Sequence, residues 1–157
     1  MKLHIAAEDS MSDTKHKQIA IIGAGNIGCS IAEGLVKSRK YKPAQITLTR
    51  KQIQFLNHLT EKGFIITNDN IKAVEQADIV ILAVRPAQTD ELLKELGHLC
   101  TRTKIVISVI TDVSLRSLYE KIPADTPVIR AMPNIAIAIR ESMTCLSALP
   151  QHTKALQ

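Results

Sequence analysis

The sequence predicts an α/β fold, a doubly wound and mostly parallel sheet with helices on both faces, and three observations predict it. Short β-branched runs alternate along the chain with segments of helical period, which is the sequence form of strands joined by crossover helices. Ile and Val supply 29 of the 157 residues while Phe, Tyr and Trp supply four, so the apolar content suits buried strands better than a helical bundle. The run from Ile79 to Val84 (IVILAV) is apolar on both faces, which a strand tolerates only when helices cover both sides of its sheet. A chain of this length makes one domain with a real core.

The elements follow in order. Residues 1–17 are polar, lack period, contain a second methionine at Met11, and read as a tail. The domain proper spans 18–150, and 151–157 is a C-terminal remnant. Strand Gln18 to Ile22 is the first β-branched run, and the pattern from Asn26 to Ser38 places Ile27, Ile31 and Leu35 on one helical face. Strand Gln45 to Thr49, a helix over Lys51 to Lys62, strand Gly63 to Ile66 and a helix over Asn70 to Gln76 continue the alternation. Then come strand Ile79 to Val84, a helix over Thr89 to Leu99, strand Lys104 to Val109, a helix over Ser114 to Lys121 and strand Pro127 to Met132. Met143 to Ala148 reads as one more strand, in the antiparallel sense.

Several function classes are excluded by composition. No apolar run approaches the ~20 residues that a bilayer-spanning helix needs. The opening MKLHIAAEDSMSD lacks the apolar stretch and cleavage site of a secretory signal, so a cytoplasmic protein with no membrane partner is expected. Cys29, Cys100 and Cys145 are too few and too far apart for a disulfide framework or a zinc site; they are predicted to be buried small hydrophobes, and no metal is expected. The net charge is +5, part of it in Lys37, Arg39, Lys40, Lys42, Arg50 and Lys51. Single-strand nucleic-acid binders need aromatic rings among their basic residues, and only Tyr41 lies nearby, so a polyanionic small molecule suits this cluster better than nucleic acid.

The first strand runs directly into Gly23-Ala24-Gly25-Asn26-Ile27-Gly28, and a helical pattern follows at once. A bare G-x-G-x-x-G is weak, but between strand and helix it has the context that phosphate binding demands. Gly23 allows the tight turn, Gly25 lets backbone approach a pyrophosphate, Gly28 lets helix and strand pack closely, and the helix N-terminus faces the negative charge. These features predict a Rossmann-type NAD(P)-binding domain. NAD-binding chains usually place an acidic residue at the end of the second strand, about 20 residues beyond the glycines. This chain has Thr49, Arg50 and Lys51 there, a hydroxyl and two cations that favour the 2′-phosphate of NADP, with NAD as the lesser possibility.

Ligands of doubly wound sheets lie outside the carboxyl ends of the strands. The fourth strand ends in Ala83-Val84-Arg85-Pro86, the fifth in Ser108-Val109-Ile110-Thr111-Asp112 and the sixth in Ala131-Met132-Pro133-Asn134. The prolines are accounted for by strand termination. Asn134 has two readings, a simple strand end or an amide that hydrogen-bonds a nicotinamide or substrate. None of the five histidines sits in a recognisable motif, and no catalytic residue is assigned. Hydride transfer does not require such a residue, because the cofactor carries the chemistry.

GAGNIG, Asn70 before IKAVEQAD, IVILAVRP, IVISVITDVSL and VIRAMPN, in this order and spacing, resemble the N-terminal half of pyrroline-5-carboxylate reductases from Gln18 to about Ala148. The resemblance implies that the glycine loop binds the dinucleotide phosphates and that Arg50 lies by the adenosine 2′-phosphate. It also implies that Asn70 contacts the adenosine side and that Ala83 to Pro86 and the loop around Ile110 to Asp112 line the nicotinamide end. The reaction it implies is reduction of the C=N bond of 1-pyrroline-5-carboxylate, a cyclic imine acid, by NAD(P)H to give proline.

The chain departs from the family pattern at the business end. Ile110-Thr111-Asp112 stands for the usual Ala-Ala-Gly, Ile135-Ala136 for Thr-Pro, and Ser142 for Gly. The family continues into a helical domain that dimerises and completes the substrate pocket, and the chain ends at Gln157 without it, so a homo-oligomer is expected only where such a domain is present. Two other readings stay open: another NADP-dependent reductase of this architecture, and a non-enzymatic NADP(H)-binding module.

Overall fold

A computed structural model describes residues 17–133 and 144–152. Six parallel strands, β1 (Ile19–Ile22), β2 (Ile46–Thr49), β3 (Ile65–Thr67), β4 (Ile79–Leu82), β5 (Ile105–Ser108) and β6 (Val128–Met132), form one sheet with β7 (Cys145–Ala148), which runs antiparallel to β6. The order is β3-β2-β1-β4-β5-β6-β7. Ile22, the last residue of β1, lies opposite Thr49 on one side and Leu82 on the other, so three strands end level with one another.

Alternation along each strand sends side chains to two separate cores. Ala20, Ile22, Val80, Leu82 and Val106 point to one face, where Ala73 and Val74 of α3 (Asn70–Gln76), Leu92, Leu93 and Leu96 of α4 (Thr89–Leu96) and Leu118 of α5 (Leu115–Tyr119) cover them. Ile19, Ile21, Ile46, Leu48 and Ile81 point to the other, under Ala32 of α1 (Asn26–Lys37) and Leu59 of α2 (Asn57–Thr60). Helices therefore cover both faces, the doubly wound arrangement that IVILAV predicts. Among the described residues, no helix is long and apolar enough to cross a membrane.

The differences from the sequence reading lie where helices and strands begin and end. The helix expected over Lys51 to Lys62 is a 3₁₀ turn, Ile53–Leu56, followed by the single turn of α2. Neither piece has a side-chain cap, Asn57, His58 and Thr60 are weak helix formers, and Leu56 and Leu59 supply its buried anchors. The helix expected to reach Leu99 becomes a 3₁₀ turn at Gly97–Leu99, where the Gly97 backbone lies directly against the Lys121 carbonyl. Strand β4 stops at Leu82 rather than Val84, because Ala83 and Val84 cross over Gly23: a Cβ there would stand 2.7 Å from the Ala83 carbonyl oxygen.

Cysteine burial is mixed. Cys100 is buried, and its thiol pKa is pushed up to about 11 by desolvation. Cys145 is exposed, against the expectation of burial, because it sits on β7, which among the described residues has a partner strand on one side only. The described C-terminal segment is fastened through Tyr119, whose hydroxyl donates to the Thr126 carbonyl at 3.0 Å and whose ring stacks on His152 at 6.1 Å between centroids.

Candidate functional site

Strand β1 lies between β2 and β4, and the chain winds outward from it in both directions, so the carboxyl ends of these three strands mark the point where strand order reverses. An open cleft of about 470 Å³ lies there. The loop after β1 is tied to β2 by its amides: Ala24 N–H donates to the Thr49 carbonyl at 2.8 Å and Gly23 N–H to the same oxygen at 3.3 Å. The Thr49 side chain is 1% exposed and its hydroxyl accepts from the Gly23 amide at 3.4 Å. That hydroxyl therefore braces the loop instead of standing out towards a ligand, as the sequence reading had it.

The three glycines of the loop differ in what a side chain would meet. Gly23 has φ +94°, a conformation that L side chains rarely adopt, and lies under Ala83. At Gly28 a Cβ would stand 2.6 Å from the Gly23 carbonyl oxygen and 3.2 Å from Ile21, so α1 and β1 can approach only without one. At Gly25 a Cβ would meet nothing within 4 Å, and φ is an ordinary −88°. Among the described residues, nothing in the packing demands glycine at 25. Gly25 is also the N-cap of α1, which has no side-chain cap and no acidic residue in its first turn, so the positive end of this helix is left for an outside anion.

Charge around the cleft is mixed. Arg50 and Lys51 follow β2, and Arg85 follows β4. The Arg50 guanidinium donates to the Ala24 carbonyl at 3.2 Å, which places a cation against the loop. Asn70 reaches the cleft from the start of α3, where Asp69 caps the helix by accepting from the Lys72 amide at 2.9 Å. Cys29, on the second turn of α1, has its pKa raised, chiefly by burial and against the pull of Arg50, so its thiol stays neutral near pH 7.

Of the residues predicted from sequence, Gly23, Ala24, Gly25, Thr49, Arg50, Lys51, Asn70, Ala83, Val84 and Arg85 line this one cleft. Asn26, Ile27 and Gly28 form the first turn of α1, with Asn26 and Ile27 exposed, and are not among the residues that line it. Pro86 is exposed in the 3₁₀ turn that leads into α4. After β5, Ile110 is 1% exposed in the core, and Asp112 is an exposed residue with φ +59° that is not among those lining the cleft. Asn134 lies outside the described residues, as do Ile135, Ala136 and Ser142.

Four residues of the α4 region that sequence reasoning missed, Gln88, Glu91, Leu92 and Glu95, face the cleft, with Gln52 beside Lys51. Their i, i+3, i+4, i+7 spacing marks one helical face, but the period alone does not tell that this face borders a ligand cleft.

A family model described as "NADP oxidoreductase coenzyme F420-dependent" matches residues 18–112. Pyrroline-5-carboxylate reductase 2 of Dictyostelium discoideum is 44% identical over 140 residues, 87% of this chain and 47% of that protein. The pyrroline-5-carboxylate reductase of Methanosarcina acetivorans is 32% identical, over 90% of this chain and 54% of that protein. The solved pyrroline-5-carboxylate reductase of Coxiella burnetii superposes with a TM-score of 0.80 at 29% identity, covering 89% of this chain and 53% of that one. The chain thus spans about half the length of the relatives it matches.

Proposed function

Because the chain belongs to the NADP oxidoreductase, coenzyme F420-dependent family, we propose that it is the cofactor-binding half of a pyrroline-5-carboxylate reductase. It binds NADPH, with NADH as the weaker ligand, and takes part in reducing the C=N bond of 1-pyrroline-5-carboxylate to give proline. The observation that carries this reading is Gly25: a glycine that the fold does not need, open on its Cβ side, beside an uncapped helix end and the Arg50 guanidinium. A pyrophosphate lying on the loop backbone explains both the missing side chain and the missing cap.

Bound NADPH supplies the hydride. The chain's own residues bind and orient: the loop amides are spent on Thr49 and Gly23, so the first-turn amides at the α1 terminus hold the pyrophosphate, and Arg50 pairs with the 2′-phosphate through its in-plane donors. Ala83 and Val84, lifted over Gly23, form the side of the cleft leading from the phosphates towards the nicotinamide end. The cyclic imine acid would be held together with a C-terminal helical domain, in a cytoplasmic homo-oligomer.

A fluorescence titration of this chain with NADPH and NADH tests the cofactor reading directly. Saturable binding that favours NADPH is expected, and binding of neither nucleotide removes the proposal. For the substrate, a version of the protein extended to the length of its relatives should oxidise NADPH with pyrroline-5-carboxylate and not with 2-keto acids.

A further inference from the structure

We propose that Phe55 is a positioning residue for cofactor choice: its ring carries the Arg50 guanidinium and so sets the preference for a 2′-phosphorylated dinucleotide. The inference rests on the NADPH reading above and adds to it a residue outside the cleft lining. The Arg50 guanidinium carbon lies 4.8 Å from the centroid of the Phe55 ring, within the range of a cation–π contact. Phe55 is one of four aromatic residues in the chain, yet it is 54% exposed, so it does not contribute an aromatic side chain to the core. The 3₁₀ turn that carries it is anchored by its neighbour Leu56, which is fully buried, and this fixes Phe55 at the surface beside Arg50.

Arg50 is held from three sides. Its backbone N–H donates to the Thr67 carbonyl at 3.2 Å, one guanidinium nitrogen donates to the Ala24 carbonyl at 3.2 Å, and the guanidinium carbon lies over the Phe55 ring. A cation–π contact acts on the charge of the guanidinium and gives its N–H donors no acceptor oxygen. The Ala24 bond consumes one. The others remain in plane for a phosphate, so the ring lowers the freedom of a long side chain without competing for the ligand. Lys51, adjacent in sequence and also at the cleft, carries its charge on an ammonium and lacks the planar fork of donors.

The experiment compares Kd values for NADPH and NADH in the wild-type chain and in Phe55→Leu, Phe55→Met and Phe55→Tyr, with thermal melting to establish that each variant is folded. Two ringless variants are used so that a folding defect in one does not decide the outcome. The expected result is a 2- to 5-fold rise (order of magnitude) in Kd for NADPH in Phe55→Leu and Phe55→Met, no change for NADH, and wild-type values in Phe55→Tyr. In an Arg50→Ala background, Phe55→Leu should add nothing. A wild-type preference for NADPH that Arg50→Ala removes and the ringless variants leave intact overturns the inference alone. Equal losses for both nucleotides in the ringless variants also overturn it. A wild-type chain indifferent between the nucleotides overturns the cofactor reading and this inference together.

Discussion

The carboxyl edge of the sheet has two unlike halves. Around β1, β2 and β4 the backbone is crowded on its inner side, with Gly23 under Ala83 and Gly28 against both the loop and Ile21, and open on its outer side at Gly25. After β5 the chain turns out through Thr111 and Asp112, both exposed, with Asp112 in the left-handed region and no part in the cleft lining. Crowding alone would be a folding requirement and openness alone an ordinary surface. Their coincidence within one short loop separates the glycines that build the turn from the one that leaves room for something else.

The largest expected effect breaks that coincidence from its inner side. Gly23→Ala forces a side chain into φ +94° and against the Ala83 carbonyl, a contact with backbone that a rotamer change cannot relieve. It should cost about 3 kcal/mol or more of stability, measured as a shift in urea midpoint. Gly25→Val is the counterpart, two residues away. Its backbone conformation suits any residue and its Cβ meets nothing, so the loss should stay within about 1 kcal/mol, the usual scale of an N-cap change. Binding of NADPH and NADH should both fall. If Gly25→Val unfolds the chain as Gly23→Ala does, the two kinds of glycine are not distinct.

A smaller effect separates the charge from the loop. Arg50→Ala removes a guanidinium that faces the 2′-phosphate in the proposed complex. A charge-assisted bond is worth about 1.5–3 kcal/mol, or roughly 10- to 150-fold in Kd, and the loss should fall on NADPH and spare NADH. Equal losses for both would assign Arg50 to the loop, through its bond to the Ala24 carbonyl, and not to the phosphate.

The sequence makes the sheet legible because its strands are β-branched runs bounded by turn residues, and the α3 bounds, Asn70–Gln76, agree with the periodic pattern. The β1 loop is legible because strand, glycines and helix are contiguous. What the sequence hides is tertiary. That Thr49 turns its hydroxyl to Gly23 depends on the pairing of β1 with β2. Ala83 and Val84 cross over a glycine some sixty residues earlier, a contact that a local apolar pattern cannot register. The cleft face of α4 is invisible for a similar reason: the helix shows which residues are apolar, but the position of its polar face over the switch point comes from the sheet order.

The smallest expected effect lies in the second half of the edge. Asp112 occupies the left-handed region at φ +59°, where glycine is at ease and Asp is among the side chains best tolerated. Asp112→Gly relieves that conformational cost and adds freedom to the unfolded chain, two terms of opposite sign, so stability should change by less than about 1 kcal/mol. Because Asp112 is exposed and not among the residues lining the cleft, Kd for both nucleotides should stay within roughly 2-fold of wild type. A larger change in binding would bring this turn into contact with the cofactor and join the two halves into one site. An unchanged Kd, set beside the losses in Gly25→Val and Arg50→Ala, would confine the determinants of nucleotide binding to the edge formed by β1, β2 and β4.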